Sequence, residues 1–287
     1  MKKYIEKADV LVEALPYIQK LYGKIVVIKY GGAAMTDEEL KEKILQDITL
    51  LSFVGMKPIV VHGGGKDINK MLDKLEIEPQ FIDGLRVTDD ATMDVVQMML
   101  AGSINKNIVS KLCSLGTKAI GLCGKDANLI NAKKLENDKG IDYGCVGQVT
   151  SVNTKLLRLL ADDAYIPVIA PIGTDENGNT YNINADTVAA EIAKALQCEK
   201  LVFLTDTDGI RKDPDDADTK INKISEDEIK DLIKKGIIAG GMLPKVQGCI
   251  MALDGGVKRI HILNGKIEHP IILEIFTDSG IGTMVYK

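Results

Sequence analysis

Two lysines, far apart in the chain, occupy positions where a positive charge is costly. Lys29 ends the β-branched run Ile25–Ile28, which is typical of a buried strand, and a buried ammonium group is unfavourable unless it meets an anion. Lys245 falls in the first turn of a predicted helix, against the positive end of the helix dipole. Both positions indicate an external anion, although a solvated lysine at a strand end is the alternative for Lys29.

Glycine-rich turns follow the first two predicted strands. Gly31 and Gly32 follow the first, and Gly63–Gly65 separate the second from a helix. Backbone N–H groups at such a helix N-terminus bind phosphate or carboxylate. The second turn is not a dinucleotide fingerprint, because Ile68 stands where a third spaced glycine is needed. No Gly-Lys pair in the chain is followed by the Ser or Thr of a P-loop.

Polar side chains at two further places suit a polar ligand. Arg86 lies between a glycine turn and a helix that Thr88 can cap, where it could clamp a carboxylate with two hydrogen bonds or form a surface ion pair. Asn182, Asn184 and Asp186 occupy alternate positions of an extended segment, which predicts that all three face the same way. The alternative for Asp186 is that it only caps the following helix.

Short β-branched runs alternate with amphipathic helical stretches, which predicts a mostly parallel sheet sandwiched between helices. The predicted strands are Ile25–Ile28, Pro58–Val61, Lys118–Leu122, Ile166–Ala170, Lys200–Leu204 and Arg259–Leu263. The clearest predicted helices are Asp37–Phe53, Thr92–Leu115, Ala185–Leu196 and Glu226–Lys235. Ligands of such sheets bind beyond the carboxyl ends of the strands. Thr205, Asp206 and Gly209 follow the fifth strand as a candidate nucleotide site, and residues 128–152 predict a β-rich insert.

Composition narrows the class of protein. The 287 residues are 45% hydrophobic and 27% charged, which is typical of a chain with a substantial core. A net charge of −5 argues against a general nucleic-acid binder but not against a phosphorylated small molecule. Five cysteines without a C-x-x-C pair, beside three histidines, disfavour a zinc site and indicate reduced thiols in the cytoplasm. No apolar run reaches transmembrane length.

The segment "ADVLVEALPYIQKLYG" predicts an amphipathic helix before the first strand, with a kink at Pro16. Its apolar face packs either on its own domain, which the spacing alone favours, or on a partner subunit.

Taken together, these motifs resemble the amino acid kinase family. "IKYGGAAM", "VVHGGGKDIN", "DGLRVTDDATMDVVQMML", "IPVIAPIG", "YNINADT", "FLTDTDG" and "GGMLPKV" occur in the family's order and cover most of the chain from Lys24 to Met284. The resemblance is to the branch that transfers a phosphoryl group from ATP, with its Mg²⁺, to the γ-carboxylate of N-acetyl-L-glutamate in arginine biosynthesis. It implies an N-terminal oligomerisation helix over residues 1–23, an amino-acid lobe over 24–173 and an ATP lobe over 174–287.

The same resemblance implies roles for single residues. Lys29 and Lys245 would stabilise the transferring phosphoryl group, and Asp186 would orient them without any dedicated metal site. The implied substrate contacts are Gly64, Gly65, Arg86, Asn182 and Asn184. The implied nucleotide contacts are Gly31, Gly32, Thr205, Asp206, Gly209, Gly240, Gly241 and Met242. Kinases of carbamate or other carboxylates are the near alternatives, and a binding module without catalysis is the distant one.

Regulation by L-arginine is a further implication. Arginine-inhibited members resemble this chain in having a helix before the first strand that interlaces dimers into a hexamer, a trimer of dimers. Tyr22, His269, Glu274 and Gly280 are the implied arginine contacts, and a nitrogen-signalling PII protein is a possible partner. The chain departs from the usual pattern at Ala33 and at Pro270.

Overall fold

The computed structural model describes residues 1–35, 37–137, 140–213, 216–238, 242–277 and 280–287. Its α-helices are Lys2–Glu13 (α1), Leu15–Leu21 (α2), Glu38–Phe53 (α3), Gly65–Lys74 (α4), Asp90–Gln97 (α5), Asn105–Ser114 (α6), Thr154–Asp162 (α7), Ala185–Leu196 (α8), Glu226–Lys234 (α9), Met242–Asp254 (α10) and Pro270–Ile275 (α11). Short 3₁₀ helices span Gly32–Met35, Asp126–Asn128 and Ala217–Thr219, and a π-helix spans Met98–Ile104.

The strands are Ile25–Tyr30 (β1), Lys57–His62 (β2), Phe81–Ile82 (β3), Leu85–Arg86 (β4), Lys118–Cys123 (β5), Ile130–Lys134 (β6), Gly147–Val152 (β7), Tyr165–Ala170 (β8), Ile172–Thr174 (β9), Thr180–Asn182 (β10), Lys200–Thr205 (β11), Ile210–Arg211 (β12), Lys220–Ile221 (β13), Lys223–Ser225 (β14), Arg259–Asn264 (β15) and Thr283–Tyr286 (β16).

A central sheet of eight strands has the order β14-β16-β15-β11-β1-β2-β8-β5. From β15 to β5 all neighbours are parallel, and β16 alone pairs antiparallel with β15. This confirms the predicted, mostly parallel sheet between helices. A second sheet has the order β10-β9-β6-β7, in which β6 and β7 pair antiparallel. The predicted β-rich insert is therefore present.

The alternation of side chains along β1 decides which way Lys29 points. Val26 and Ile28 belong to the hydrophobic core on one face of the sheet, whereas Val27 belongs to the core on the other face. Because successive strand residues point to opposite faces, Lys29 lies on the face of Val27. That face is covered by α8, which packs on β1 and against α10. Lys29 is thereby directed towards the first turns of these two helices.

The N-terminal segment forms two helices that meet at Ala14, close to the kink expected at Pro16. Leu21 of α2 is buried, and the ring of Tyr17 lies edge-on to Phe276 at 6.5 Å. The helix α1 differs, since its residues Tyr4, Ile5, Val10, Leu11 and Val12 are 53–74% exposed. The expectation of packing on the same domain therefore holds for α2 and is wrong for α1.

The stretch predicted as one helix over Thr92–Leu115 is divided into α5, the π-helix and α6. The cap of α5 is Asp89, whose carboxylate accepts the Thr92 N–H at 2.8 Å, and not Thr88. Thr88 is fully buried instead, and its hydroxyl donates to the Arg86 carbonyl at 2.8 Å. Within the described ranges, no helix is long and apolar enough to cross a membrane.

Candidate active site

The carboxyl ends of β1, β2 and β11 meet at one edge of the sheet, because the three strands are parallel neighbours. β1 continues into the turn at Gly31, β2 into Gly63–Gly65 and β11 into Asp206. β2, the next strand along the chain, lies on one side of β1, whereas β11, which comes much later in the chain, lies on the other side of β1. A sheet that reverses its order in this way leaves a crevice at the strand ends, where ligands bind.

Lys29 and Lys245 meet at a single carboxylate in this crevice. Lys29 Nζ lies 2.8 Å from Asp186 Oδ1, at ion-pair distance, and Lys245 Nζ donates to Asp186 Oδ2 at 2.9 Å. The two lysine side chains are only 12% and 14% exposed. Asp186 and Lys245 stand in the first turns of α8 and α10, so three separate elements bring the cluster together.

The charges of this cluster do not cancel. Burial by itself would raise the pKa of Asp186, but the ammonium groups of Lys29 and Lys245 more than offset this and hold the pKa below its usual value. Two cations and one ionised carboxylate leave a net charge of about +1 in a poorly solvated place. Each ammonium group has three N–H donors, of which Asp186 can take no more than one from each lysine in this arrangement, so donors remain for an anion. The cluster is therefore suited to bind and stabilise negative oxygen atoms.

The first glycine turn leaves room for the groups around it. A Cβ atom at Gly31 would lie 2.7 Å from Lys29 Nζ, so a side chain there would displace the ammonium group. Gly32 has φ +68°, a left-handed conformation that favours glycine, and a Cβ atom there would lie 2.7 Å from Asp206 Oδ1. The turn thus brings the backbone of β1 close to Lys29 and to the Asp206 side chain.

A cavity of about 200 Å³ opens beside the second glycine turn and is lined by Gly63–Gly65, Arg86, Asn182 and Ala185, among others. Arg86 is only 8% exposed. Its Nη2 donates to Asn69 Oδ1 at 2.5 Å and to the Gly65 carbonyl at 3.3 Å, and its guanidinium stacks 4.8 Å from the Phe81 ring. Its buried Nη1 has no hydrogen-bond partner within the described part of the chain. A cation with an unused donor in a cavity indicates an anionic ligand.

The two asparagines differ in their surroundings. Asn182 Nδ2 donates to Thr88 Oγ1 at 3.2 Å, and the residue lines the same cavity as Arg86. Asn184 also lines the cavity, but its side-chain oxygen accepts the N–H groups of Asp186 and Thr187 as the N-cap of α8. The cap is therefore Asn184, and Asp186 does not have that role. The expected common direction is therefore not seen for all three side chains, since Asn182 and Asn184 line this cavity and the Asp186 carboxylate meets the two lysines.

A second cavity, of about 350 Å³, lies beyond the end of β11. Its lining includes Asp206, Gly209, Ile238, Met242 and Asn264. Thr205 does not line it, and its hydroxyl is bonded to Thr207 at the strand end. The expected contacts Gly240 and Gly241 lie outside the described residues. The structure thus places Asp206, Gly209 and Met242 together beside one cavity.

A third cavity has a volume of about 300 Å³ and is lined by two of the four residues implied for arginine. Glu274 and Gly280 line it together with Tyr17, Lys20 and Lys200. His269 lies elsewhere, with Nδ1 2.6 Å from Asp47 Oδ1. Tyr22 is 69% exposed and packs against Gly55 instead. The structure therefore brings Glu274 and Gly280 together but not His269 or Tyr22.

Several residues of the site had no clear signal in the sequence. Asn69 and Phe81 hold the Arg86 side chain, and nothing in their spacing marks them as partners of an arginine. His62 directly precedes the second glycine turn and is fully buried. Its position before three glycines was the one signal that could have identified it. Among the described residues, no group of three or more His, Cys, Asp or Glu side chains could hold a metal ion.

A match to the family model described as "Amino acid kinase family" spans residues 24–264, which is most of the chain. The chain belongs to the amino acid kinase family. Acetylglutamate kinases are similar to it over their whole length. Those of Caldicellulosiruptor saccharolyticus and Methanocaldococcus jannaschii are 58% and 53% identical, with 100% of this chain and 98% of each relative covered. The chain is therefore a kinase.

Solved structures of other proteins have a similar fold. The N-acetylglutamate synthase of Neisseria gonorrhoeae, complexed with coenzyme A and N-acetyl-glutamate, is 30% identical with a TM-score of 0.87. The same synthase complexed with coenzyme A and L-arginine is 28% identical with a TM-score of 0.83. Both matches cover 98% of this chain but only 63% and 65% of the synthase. Carbamate kinase from Giardia lamblia, 18% identical with a TM-score of 0.68 over 92% of this chain and 99% of its own, shares the fold.

Because His62 is buried, we expect the kinase to lose stability in mild acid. Burial lowers the pKa of His62 to about 4, whereas an unfolded histidine has a pKa near 6.5. Between these values the unfolded chain binds the proton and the folded chain does not, so the free energy of unfolding falls as the pH falls. The expected loss from this residue between pH 7 and pH 5 is about 2 kcal/mol. Urea unfolding of the wild type and of His62→Gln at both pH values measures it, and equal losses in the two proteins would contradict it.

Proposed function

We propose that this kinase transfers the γ-phosphoryl group of ATP to the γ-carboxylate of N-acetyl-L-glutamate, a step of arginine biosynthesis. The observation that carries the proposal is the Lys29–Asp186–Lys245 cluster. Ala185, which precedes Asp186, lines the cavity of Arg86, and Met242, one turn before Lys245, lines the cavity at the end of β11. The cluster is thus adjacent to both cavities, where a phosphoryl group would pass from one ligand to the other.

The cluster matches what phosphoryl transfer requires. The reaction depends on positioning and on stabilising charge on the equatorial oxygens of the transferring group, more than on covalent chemistry by the protein. The spare donors of Lys29 and Lys245 would serve this purpose, and Asp186 would hold both ammonium groups in place. A carboxylate acceptor is ionised at neutral pH, so it needs no general base. The N–H groups of Gly64 and Gly65 would supply further donors near the acceptor.

The cavity at the end of β11 would hold the nucleotide, and the turn at Gly31 and Gly32 would let the backbone approach its phosphates. An apolar side chain such as Ile238 and a polar one such as Asn264 suit a base and its edge. Mg²⁺ would be held mainly by the phosphates and by water, and it would neutralise phosphate charge.

The unpaired Nη1 of Arg86 supports an acceptor with a second carboxylate. The γ-carboxylate of the substrate must lie near the lysines, so another anionic group is needed to occupy the guanidinium. The α-carboxylate of N-acetyl-L-glutamate would fill this role, and the Asn182 amide would help to orient the substrate. Carbamate has no such second group. The full-length acetylglutamate kinase relatives support the same acceptor.

A coupled assay of ADP release tests the acceptor. The kinase is supplied with ATP and Mg²⁺ and with N-acetyl-L-glutamate, L-glutamate, L-aspartate or carbamate in parallel. We expect kcat/KM to be highest for N-acetyl-L-glutamate. No preference for it over the other three would refute the proposed substrate. A binding module without catalysis, the alternative from another class, would release no ADP with any acceptor.

The division into an amino-acid lobe over residues 24–173 and an ATP lobe over 174–287 remains part of the proposal. In support, Arg86 and the second glycine turn fall in the first range. The residues that line the cavity at the end of β11 fall in the second. Asn182 and Ala185 lie beyond the boundary and still line the acceptor cavity, so α8 would serve both lobes.

Inhibition by L-arginine is a finer part of the proposal and rests on the third cavity. Glu274 is ionised there, since the partners of its carboxylate, led by His261, offset burial and hold its pKa below the usual value. Burial lowers the pKa of Lys200 to about 8, which leaves it mostly charged at neutral pH. An arginine could place its guanidinium by Glu274 and its carboxylate by Lys20 and Lys200. The arginine complex of the structurally similar synthase supports arginine binding by a chain of this fold.

The exposed apolar side chains of α1 support a role in assembly. A helix that leaves Tyr4, Leu11 and Val12 more than half exposed is stabilised when a partner subunit covers these side chains. We propose that α1 joins dimers into a hexamer and that arginine acts through this contact. A PII protein would be a further partner.

Deletion of residues 1–22 is expected to abolish sigmoidal inhibition by arginine, because the helix that couples the subunits is removed together with Tyr17 and Lys20 of the cavity. Activity without arginine should change little. Steady-state kinetics with increasing arginine, alongside sedimentation of both proteins, measure the effect. Unchanged inhibition in the shortened protein would refute the role of the helix.

A further inference from the structure

The second glycine turn has no side chains of its own, so another group must hold its peptide planes. The side chain of His62 does this at one point. Its Nδ1 lies 2.9 Å from the carbonyl oxygen of Gly63, and His62 is 0% exposed. The peptide that joins Gly63 to Gly64 is planar and trans, so its carbonyl and its N–H point in opposite directions. A bond that fixes the Gly63 carbonyl therefore fixes the direction of the Gly64 N–H.

Asn105 determines which ring nitrogen of His62 carries the proton. Asn105 Nδ2 donates to the Val168 carbonyl at 2.9 Å, and its Oδ1 accepts from Lys106 Nζ at 3.1 Å. These two bonds orient the amide so that its nitrogen, and not its oxygen, lies 3.1 Å from His62 Nε2. Since Asn105 offers a donor, Nε2 must be the acceptor and Nδ1 must hold the proton. Only this tautomer can donate to the Gly63 carbonyl.

The surroundings of Asn105 are built to keep it there. The π-helix that precedes Asn105 packs on the glycine turn, since a Cβ atom at Gly64 would lie 2.5 Å from Ile104 Cδ1 and 2.8 Å from Leu100 Cδ2. π-helical turns are rare and are often found at functional sites. In β5, a Cβ atom at Gly121 would lie 1.8 Å from Asn105 Oδ1. The Asn105 amide therefore occupies the space that a side chain at position 121 would need.

We infer that His62 is a positioning residue for phosphoryl transfer, which aims the Gly64 N–H at the reacting group through the Gly63 carbonyl, with Asn105 selecting its tautomer. The inference rests on the proposed function, in which Gly64 is a backbone donor. Burial is the main effect that lowers the pKa of His62, and the charge of Lys106 also disfavours protonation of the ring. His62 therefore stays neutral and keeps one hydrogen-bond pattern over the working pH range.

Two substitutions of His62 distinguish the roles of its two ring nitrogens. The amide nitrogen of asparagine lies near the position of Nδ1, so His62→Asn retains a donor to Gly63. The amide of glutamine reaches the position of Nε2, so His62→Gln retains the contact with Asn105 but loses that donor. We expect His62→Gln to lower kcat by about 10- to 100-fold with both KM values within about threefold, because a misdirected donor loses transition-state stabilisation. His62→Asn should recover kcat to within about fivefold of the wild type.

Leu112→Ala is the matched control, because Leu112 is a fully buried residue of α6 that lines none of the three cavities described above. It should lower the melting temperature and leave kcat unchanged, as a merely structural effect would. A kcat of His62→Gln within threefold of the wild type, or a His62→Asn variant no faster than His62→Gln, would overturn the inference. The comparison uses whichever acceptor the wild type phosphorylates, so failure with N-acetyl-L-glutamate affects the proposed substrate alone.

A second measurement needs no substrate. The chain has three histidines, so NMR of the kinase labelled with ¹⁵N-histidine resolves each ring. We expect the His62 ring to be protonated at Nδ1 and unprotonated at Nε2 throughout pH 6 to 8. A ring protonated at Nε2, or one that titrates near pH 6.5, would overturn the inference whatever the acceptor is.

Discussion

Lys245→Ala is expected to lower kcat for N-acetyl-L-glutamate by about 10²- to 10³-fold, the loss seen when one preorganised donor to a developing charge is removed. The ammonium group lies 2.9 Å from Asp186 Oδ2 and the Lys245 side chain is only 14% exposed, so water cannot readily replace the ammonium group. Because the charge it stabilises grows only as the phosphoryl group moves, KM for the acceptor should stay within about threefold. Initial-rate kinetics with both substrates varied measure these constants.

Lys258→Ala is the matched control for this experiment. Lys258 also pairs with a single carboxylate, Glu199 at 3.1 Å, but its side chain is 65% exposed and belongs to no cavity described above. Its replacement should leave kcat unchanged. Lys29→Ala should resemble Lys245→Ala, and the double variant should lose less than the product of the two effects, since both lysines share Asp186. A kcat of Lys245→Ala within threefold of the wild type would refute the role of the cluster.

Arg86→Lys is expected to raise KM for N-acetyl-L-glutamate by about 10- to 100-fold, the range for one hydrogen bond between charged groups. Lysine keeps the charge, but it lacks the fork of N–H donors that leaves Nη1 free while Nη2 is held by Asn69. KM for ATP should not change, because Arg86 lies at the acceptor cavity and not at the larger one. The same two-substrate kinetics give both values.

The acceptor itself offers a stricter control for Arg86. N-acetyl-4-aminobutyrate has the same γ-carboxylate and lacks the α-carboxylate, so the wild type should use it poorly. For this analogue, kcat/KM of Arg86→Lys should therefore be only slightly lower than kcat/KM of the wild type. Arg158→Lys serves as the protein control, since Arg158 donates to the Leu196 carbonyl away from the site. If the substitution weakened use of the analogue as much as it weakens use of N-acetyl-L-glutamate, Arg86 would not be binding the α-carboxylate.

The sequence by itself determined the class of fold and the edge of the sheet that holds the site. β-Branched runs, amphipathic stretches and glycine turns are local signals, because residues a few positions apart share a strand, a helix or a turn. The run before Lys29 and the glycines after it therefore placed the first strand and its turn correctly. The meeting of Lys29 with Lys245 came from family resemblance, since spacing alone left a solvated lysine as an equal alternative.

Only the tertiary structure decided which side chains meet. Lys29 reaches Asp186 because β1 lies between β2 and β11 and because its fifth residue points to the face of α8. The same reason separates His269 from Glu274, since Asp47 of α3 holds the histidine across 222 positions of the chain. The tautomer of His62 likewise depends on Asn105, which a π-helix brings into place. Such pairings are set by strand order and helix packing, and no short stretch of sequence contains them.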